Sequence, residues 1–151
     1  MTVIGLGIEG VDVARFAAGH GARAVNVVDA KPPEALAERL EELRGLPITY
    51  ALGPDTQASI ADSDIVFVSQ SVPLSHPLLA AARERGIAIS SMTRAFLERS
   101  PGPAIGITGS SGKTTTTSLV GHILSTSGLP YRMGGNIGIG LLGLLDGMDE
   151  R

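Results

Sequence analysis

The sequence has no cysteine and no tryptophan, and aromatic residues make up only 3% of its 151 positions. The missing thiols exclude disulfides, thiolate catalysis and Cys-ligated zinc together, and fit a reducing compartment. Histidine is sparse and scattered, at His20, His76 and His122, so a metal cluster has no evident nucleus. No basic block is present either. Twelve Lys+Arg against fifteen Asp+Glu leave a net charge of -3, which argues against a nucleic-acid partner because nothing could neutralise a phosphate backbone. The longest apolar run, Ile137 to Leu145, falls far short of the roughly 20 residues that span a bilayer. The start, Met1-Thr2-Val3-Ile4-Gly5, lacks the charged opening and apolar stretch of a signal peptide. The expectation is a cytoplasmic protein with no membrane insertion.

What is present is apolar material and glycine: 43% hydrophobic residues against 18% charged, with 20 Gly and 9 Pro. That is enough to bury a core and too little charge to stay disordered. Strand-length apolar runs recur at Thr2-Leu6, Ala24-Val28, Ile48-Leu52, Asp64-Ser69, Ile87-Ser90 and Ala104-Thr108. Helical spacing lies between them, at Val11-Ala18, Pro33-Leu43 and Leu78-Arg85. Strand and helix in alternation predict parallel βαβ units, and the unbroken Ile65-Val66-Phe67-Val68 suggests a strand covered on both faces.

Ser100-Pro101-Gly102-Pro103 reads as a linker, since four turn-formers cannot continue either neighbouring element. Residues 1–99 are expected to form one domain and 100–151 to open a second. That second piece offers a strand at Ala104-Thr108, a helix at Thr114-Ser127, a short strand near Leu129-Met133 and a helical start at Gly138-Leu145. About 50 residues are too few for such a unit to be stable alone. Either the chain is a fragment, or these elements pack on the first domain or on another copy.

Glycine clusters mark three places. Gly5-Leu6-Gly7-Ile8-Glu9-Gly10 lies between a predicted strand and a predicted helix, with Asp29 at the end of the next strand. This is the dinucleotide-binding pattern in its expected context: glycines let the backbone approach a diphosphate, whose charge sits against the helix N-terminus. Asp29 would accept hydrogen bonds from the sugar or base of a nucleotide. The same hexapeptide also suits a tight βα turn with no ligand, and the pattern does not choose the nucleotide; an NAD-binding domain is one alternative.

The second cluster, Gly109-Ser110-Ser111-Gly112-Lys113-Thr114-Thr115, ends like a P-loop but is shortened, with Ile107 where the standard pattern has glycine. Backbone N–H groups would cradle phosphates, Lys113 would reach the β- and γ-phosphates, and the Thr114 hydroxyl would coordinate Mg2+. A Ser/Gly turn capping a helix is the competing reading. The third cluster, Gly134-Gly135-Asn136-Ile137-Gly138, serves equally well as a strand-to-helix loop or a functional one.

Taken together, Ile107-Thr108-Gly109-Ser110-Ser111-Gly112-Lys113-Thr114-Thr115-Thr116 resembles the ATP loop of the muramyl-peptide (Mur) ligases. The leading Gly-x-Gly-x-x-Gly, His76-Pro77 before a helix, and Gly134-Gly135-Asn136-Ile137-Gly138 are similar to the members that add D-glutamate to UDP-N-acetylmuramoyl-L-alanine. The resemblance implies an α/β fold, a Rossmann-like parallel sheet followed by the opening of a P-loop domain. It also implies an ATP- and Mg2+-dependent amide ligase of peptidoglycan synthesis. By the same resemblance Gly7, Ile8 and Glu9 face the diphosphate, Asp29 and Ala30 the uridine, Ser69 to Ser71 the nucleotide sugar, and Asn136 the muramoyl or ATP-side polar groups. Lys113 and Thr114 carry the catalytic roles. The chain departs from the family at Ser69-Gln70-Ser71, where Ser-Pro-Gly is common, at Ser110 and Ser111, at Ala30, and at Arg94. Family members continue through further domains, so this chain alone is expected not to ligate; a UDP-sugar-binding module without turnover is the other expectation.

Overall fold

The computed structural model of the chain describes residues 1–54, 58–135 and 137–148. Five strands, β1 (Thr2–Ile4), β2 (Val25–Asp29), β3 (Ile48–Leu52), β4 (Ile65–Val68) and β5 (Ala88–Ser90), form one sheet in the order β3-β2-β1-β4-β5. Every neighbouring pair is parallel, with Thr2 opposite both Asn26 and Val66. The expected α/β class is the observed one.

Burial explains why β1 sits in the middle. Thr2, Val3 and Ile4 are almost fully buried, and successive side chains point to opposite faces. Val3 joins one core with Val25, Val27 and residues of helix α1 (Ile8–Gly19), whereas Ile4 joins the other with Val66, Leu79 and Ala82. The lone polar side chain in that strand is satisfied: the Thr2 hydroxyl lies 2.7 Å from the Ser63 hydroxyl, itself buried, so neither group is left without a partner in the core.

Pro33 opens a 3-10 turn, Pro33–Leu36, that runs into the short helix α2 (Ala37–Glu41), so the expected helix over 33–43 is formed in two pieces. Helix α3 (Pro77–Glu84) starts on Pro77, and His76 caps it by accepting the Leu78 N–H. Helix α4 (Met92–Leu97) was not signalled by apolar spacing. Ser91 is its N-cap, accepting the Arg94 N–H at 3.2 Å, and Met92 and Ala95 pack into the α1-side core.

Beyond residue 99 the expectations are met less fully. Helix α5 (Lys113–Thr126) forms, but Gly121 is its only buried residue and Leu119 and Ile123 stay more than half exposed. The expected strands at 104–108 and 129–133 do not form. A strand needs an adjacent backbone to satisfy its N–H and C=O groups, and among the described residues none lies alongside either segment. The expected helical start at 138–145 is a 3-10 turn, Leu142–Leu144, docked on α1 with Leu142 fully buried. The end of the chain thus packs against α1.

Candidate functional site

Strand order reverses at β1, whose crossovers lead to β2 on one side and whose other neighbour is β4. In open parallel sheets a ligand crevice opens beyond the strand ends at such a switch point. Here a cavity of about 200 Å3 lies there, lined by Gly7, Ile8, Glu9, Ser69, Gln70 and Ser71. All six come from two segments that the sequence singles out separately.

The loop after β1 depends on its glycines. Gly5 has φ +92°, and a side chain there would press on Val72 and Ser69. Gly10 lies against the Gly5 carbonyl, so a Cβ would collide with it. Gly7 is different: it is exposed, and a Cβ would meet no protein atom within 4 Å. Gly5 and Gly10 therefore build the turn, and the space over Gly7 is free for a ligand. Gly7 caps α1 without any side-chain hydrogen bond, so the helix-start N–H groups keep no side-chain acceptor.

Two residues expected to touch the nucleotide also brace this loop. One oxygen of Asp29 accepts the Leu6 N–H at 2.7 Å, and the other accepts the Lys31 N–H at 2.8 Å. Ser69 is only 5% exposed, and its hydroxyl donates to the Gly5 carbonyl at 2.9 Å. Glu9 accepts the Gln70 N–H at 3.0 Å, tying the first turn of α1 to the loop after β4. Ala30 and Ser71 are exposed. Asn136 lies outside the described residues.

The second cluster occupies the start of α5. Gly112 is its N-cap in a left-handed conformation, φ +76°, again with no side-chain cap. Gly109, Ser110, Ser111, Gly112, Lys113, Thr114 and Thr115 are all exposed, and the Lys113 ammonium donates to the Gly109 carbonyl at 2.5 Å. Lysine and glycine thus close a ring over the uncapped helix start. Those features suit an anion, while no group of three or more His, Asp or Glu side chains among the described residues could by itself hold a metal.

The chain belongs to the MurD-like Mur ligase family. A family profile described as the N-terminal domain of MurD-like Mur ligases matches residues 1–91, which take in all five strands. Curated relatives named UDP-N-acetylmuramoylalanine–D-glutamate ligase match over most of the chain. The protein from Trichlorobacter lovleyi is 43% identical over 143 residues, covering 95% of this chain and 32% of its own length. That from Geobacter metallireducens is 43% identical over 145 residues, covering 96% and 32%. That from Symbiobacterium thermophilum is 40% identical over 136 residues, covering 90% and 30%. The chain therefore spans about a third of the length of these Mur ligase relatives.

One residue absent from the expectations links this Mur ligase N-terminal region to the rest of the chain. Asp12, on α1 and 6% exposed, accepts the Leu142 N–H at 2.7 Å and the Gly143 N–H at 3.1 Å. Gly140 makes room for it, since a Cβ there would overlap the Asp12 carboxylate. The signal was an acid inside the apolar stretch Val11-Asp12-Val13-Ala14; its partners, 130 residues away, carry no pattern. No helix among the described residues is long and apolar enough to cross a membrane.

Proposed function

We propose that the protein is the nucleotide-binding part of an ATP-dependent ligase that joins D-glutamate to UDP-N-acetylmuramoyl-L-alanine. The observation that carries this reading is the switch-point cleft, where Gly7 and the uncapped start of α1 face Ser69-Gln70-Ser71. A diphosphate there would take the α1 N–H groups, with the uridine towards Asp29 and Ala30 and the sugar towards Ser69 and Ser71. Residues 1–99 form the UDP-sugar domain in this reading, and 100–151 open the ATP domain.

The second cradle supports the ATP half. Gly109 to Gly112 and Thr115 would line the phosphates through backbone N–H groups. Lys113 would leave the Gly109 carbonyl for the β- and γ-phosphate oxygens, and Thr114 would hold Mg2+ through its hydroxyl. ATP supplies the phosphoryl group that activates the substrate carboxylate for attack by the D-glutamate amine. Lys113 stabilises the charge spread over the transferring group by electrostatics. Asn136 is assigned to the muramoyl or ATP-side polar groups.

The 151-residue chain binds nucleotide without turning over. Its phosphate loop follows residues 104–108, which have no neighbouring strand among the described residues, so nothing rigid holds Lys113 to the precision that phosphoryl transfer requires. Calorimetric titration with UDP-N-acetylmuramoyl-L-alanine, ATP with Mg2+, and NADH tests the whole reading. Binding of the UDP-sugar is expected, with Lys113→Ala weakening only ATP. Tight NADH binding with no response to the UDP-sugar would overturn the reading in favour of an NAD-binding domain.

A further inference from the structure

Resting on the UDP-sugar reading, we infer that Glu9 is a latch over the cleft, an internal anion that the incoming diphosphate must displace. The carboxylate of Glu9 spans the opening from the first turn of α1 to the Gln70 N–H, 3.0 Å away on the facing loop. Those two segments are the walls of the cavity. With the bridge in place the cavity holds about 200 Å3, below the ~300–1,000 Å3 usual for small-ligand sites. A nucleoside diphosphate needs that bridge open.

Charge leads to the same residue. Of the six lining residues, Glu9 alone carries a formal charge, and none is a cation. The carboxylate therefore holds a negative charge at the rim of the cleft in which the phosphate oxygens would sit. The Glu9–Gln70 bond is solvent-exposed, which leaves it weak enough to be exchanged. Because only the open form admits a diphosphate, the apparent affinity for diphosphates falls by the fraction open; a retained negative charge beside the bound diphosphate lowers it again. Glu9 thereby tunes the site against diphosphates while leaving neutral nucleoside recognition alone.

The test uses the 151-residue chain and its Glu9→Gln and Glu9→Ala variants, titrated calorimetrically with UDP, with UDP-N-acetylmuramoyl-L-alanine and with uridine. Glu9→Gln keeps the length and an acceptor for Gln70 but removes the charge. It is expected to bind UDP about tenfold tighter, the factor one like charge roughly 6 Å away imposes at a partly solvated rim, with uridine affinity changed less than about twofold. Glu9→Ala should also gain for UDP. If the unmodified chain binds UDP and both variants bind it no tighter, the latch is wrong and the UDP-sugar reading stands. If no form binds UDP or the UDP-sugar at millimolar concentration, the reading itself is wrong and the latch falls with it.

Discussion

Replacing Asp12 with alanine removes a carboxylate that holds two segments of chain 130 residues apart. The Leu142 N–H, at a buried residue, loses its acceptor, whereas the Gly143 N–H belongs to an exposed residue and can turn to water. Hydrogen bonds to charged groups contribute about 1.5–3 kcal/mol, and an orphaned buried N–H costs about 1–3 kcal/mol. The expected loss is therefore about 2–4 kcal/mol, or a fall in Tm of roughly 10 °C for a domain of this size. Leu142, 1% exposed in the α1-side core, gives the chain a second reason to keep the turn docked, worth about 1.5–3 kcal/mol. Urea denaturation measures the global effect, and hydrogen exchange at the Leu142 and Gly143 amides separates it from local release. Asp12→Asn should fall between, because its amide can accept one N–H but presents its own N–H groups to the other. By contrast Asp146→Ala, which breaks only the exposed His20–Asp146 contact at 3.5 Å, should cost under about 1 kcal/mol. Unchanged exchange at Leu142 and Gly143 in Asp12→Ala would refute the clasp.

The glycines of the first loop should separate fold from ligand. Gly10→Ala puts a Cβ on the Gly5 carbonyl and should destabilise the domain by about 3 kcal/mol or more. Gly7→Ala, with open space around its Cβ, should leave the urea midpoint nearly unchanged yet weaken UDP-sugar binding; equal losses of stability at both positions would contradict this division. Ser69→Ala removes the buried donor to the Gly5 carbonyl and should cost about 1–2 kcal/mol, and a neutral result in thermal unfolding would show that the hydroxyl does not brace the loop. Burial raises the phenol pKa of Tyr50 above its ordinary 10.0, so the folded state holds that proton more tightly. Its contribution is intact below pH 10 and is lost as pH climbs through the raised value. Absorbance titration in a Tyr131→Phe background should place the folded midpoint above the unfolded one, and the reverse order would exclude the effect.

Composition and periodicity sufficed for the alternating architecture, because a buried parallel strand must be apolar on both faces and Ile65-Val66-Phe67-Val68 is so by itself. They also marked both glycine loops, since a chain that turns tightly from strand to helix must place glycine at particular positions, as at Gly5 and Gly10. Helix α4 escaped because six residues hold too few turns for a period. What the tertiary structure decided were relations between distant residues. Strand order put Ser69-Gln70-Ser71 opposite Gly7, Ile8 and Glu9, a pairing that local pattern could not fix. It showed Asp29 and Ser69 holding the loop from beneath, and it made the buried Asp12 an acceptor for Leu142 and Gly143. It also left residues 104–108 without a partner strand, although their apolar content suits one. A side chain's chemistry belongs to the sequence; which N–H it faces depends on how the whole sheet is wound.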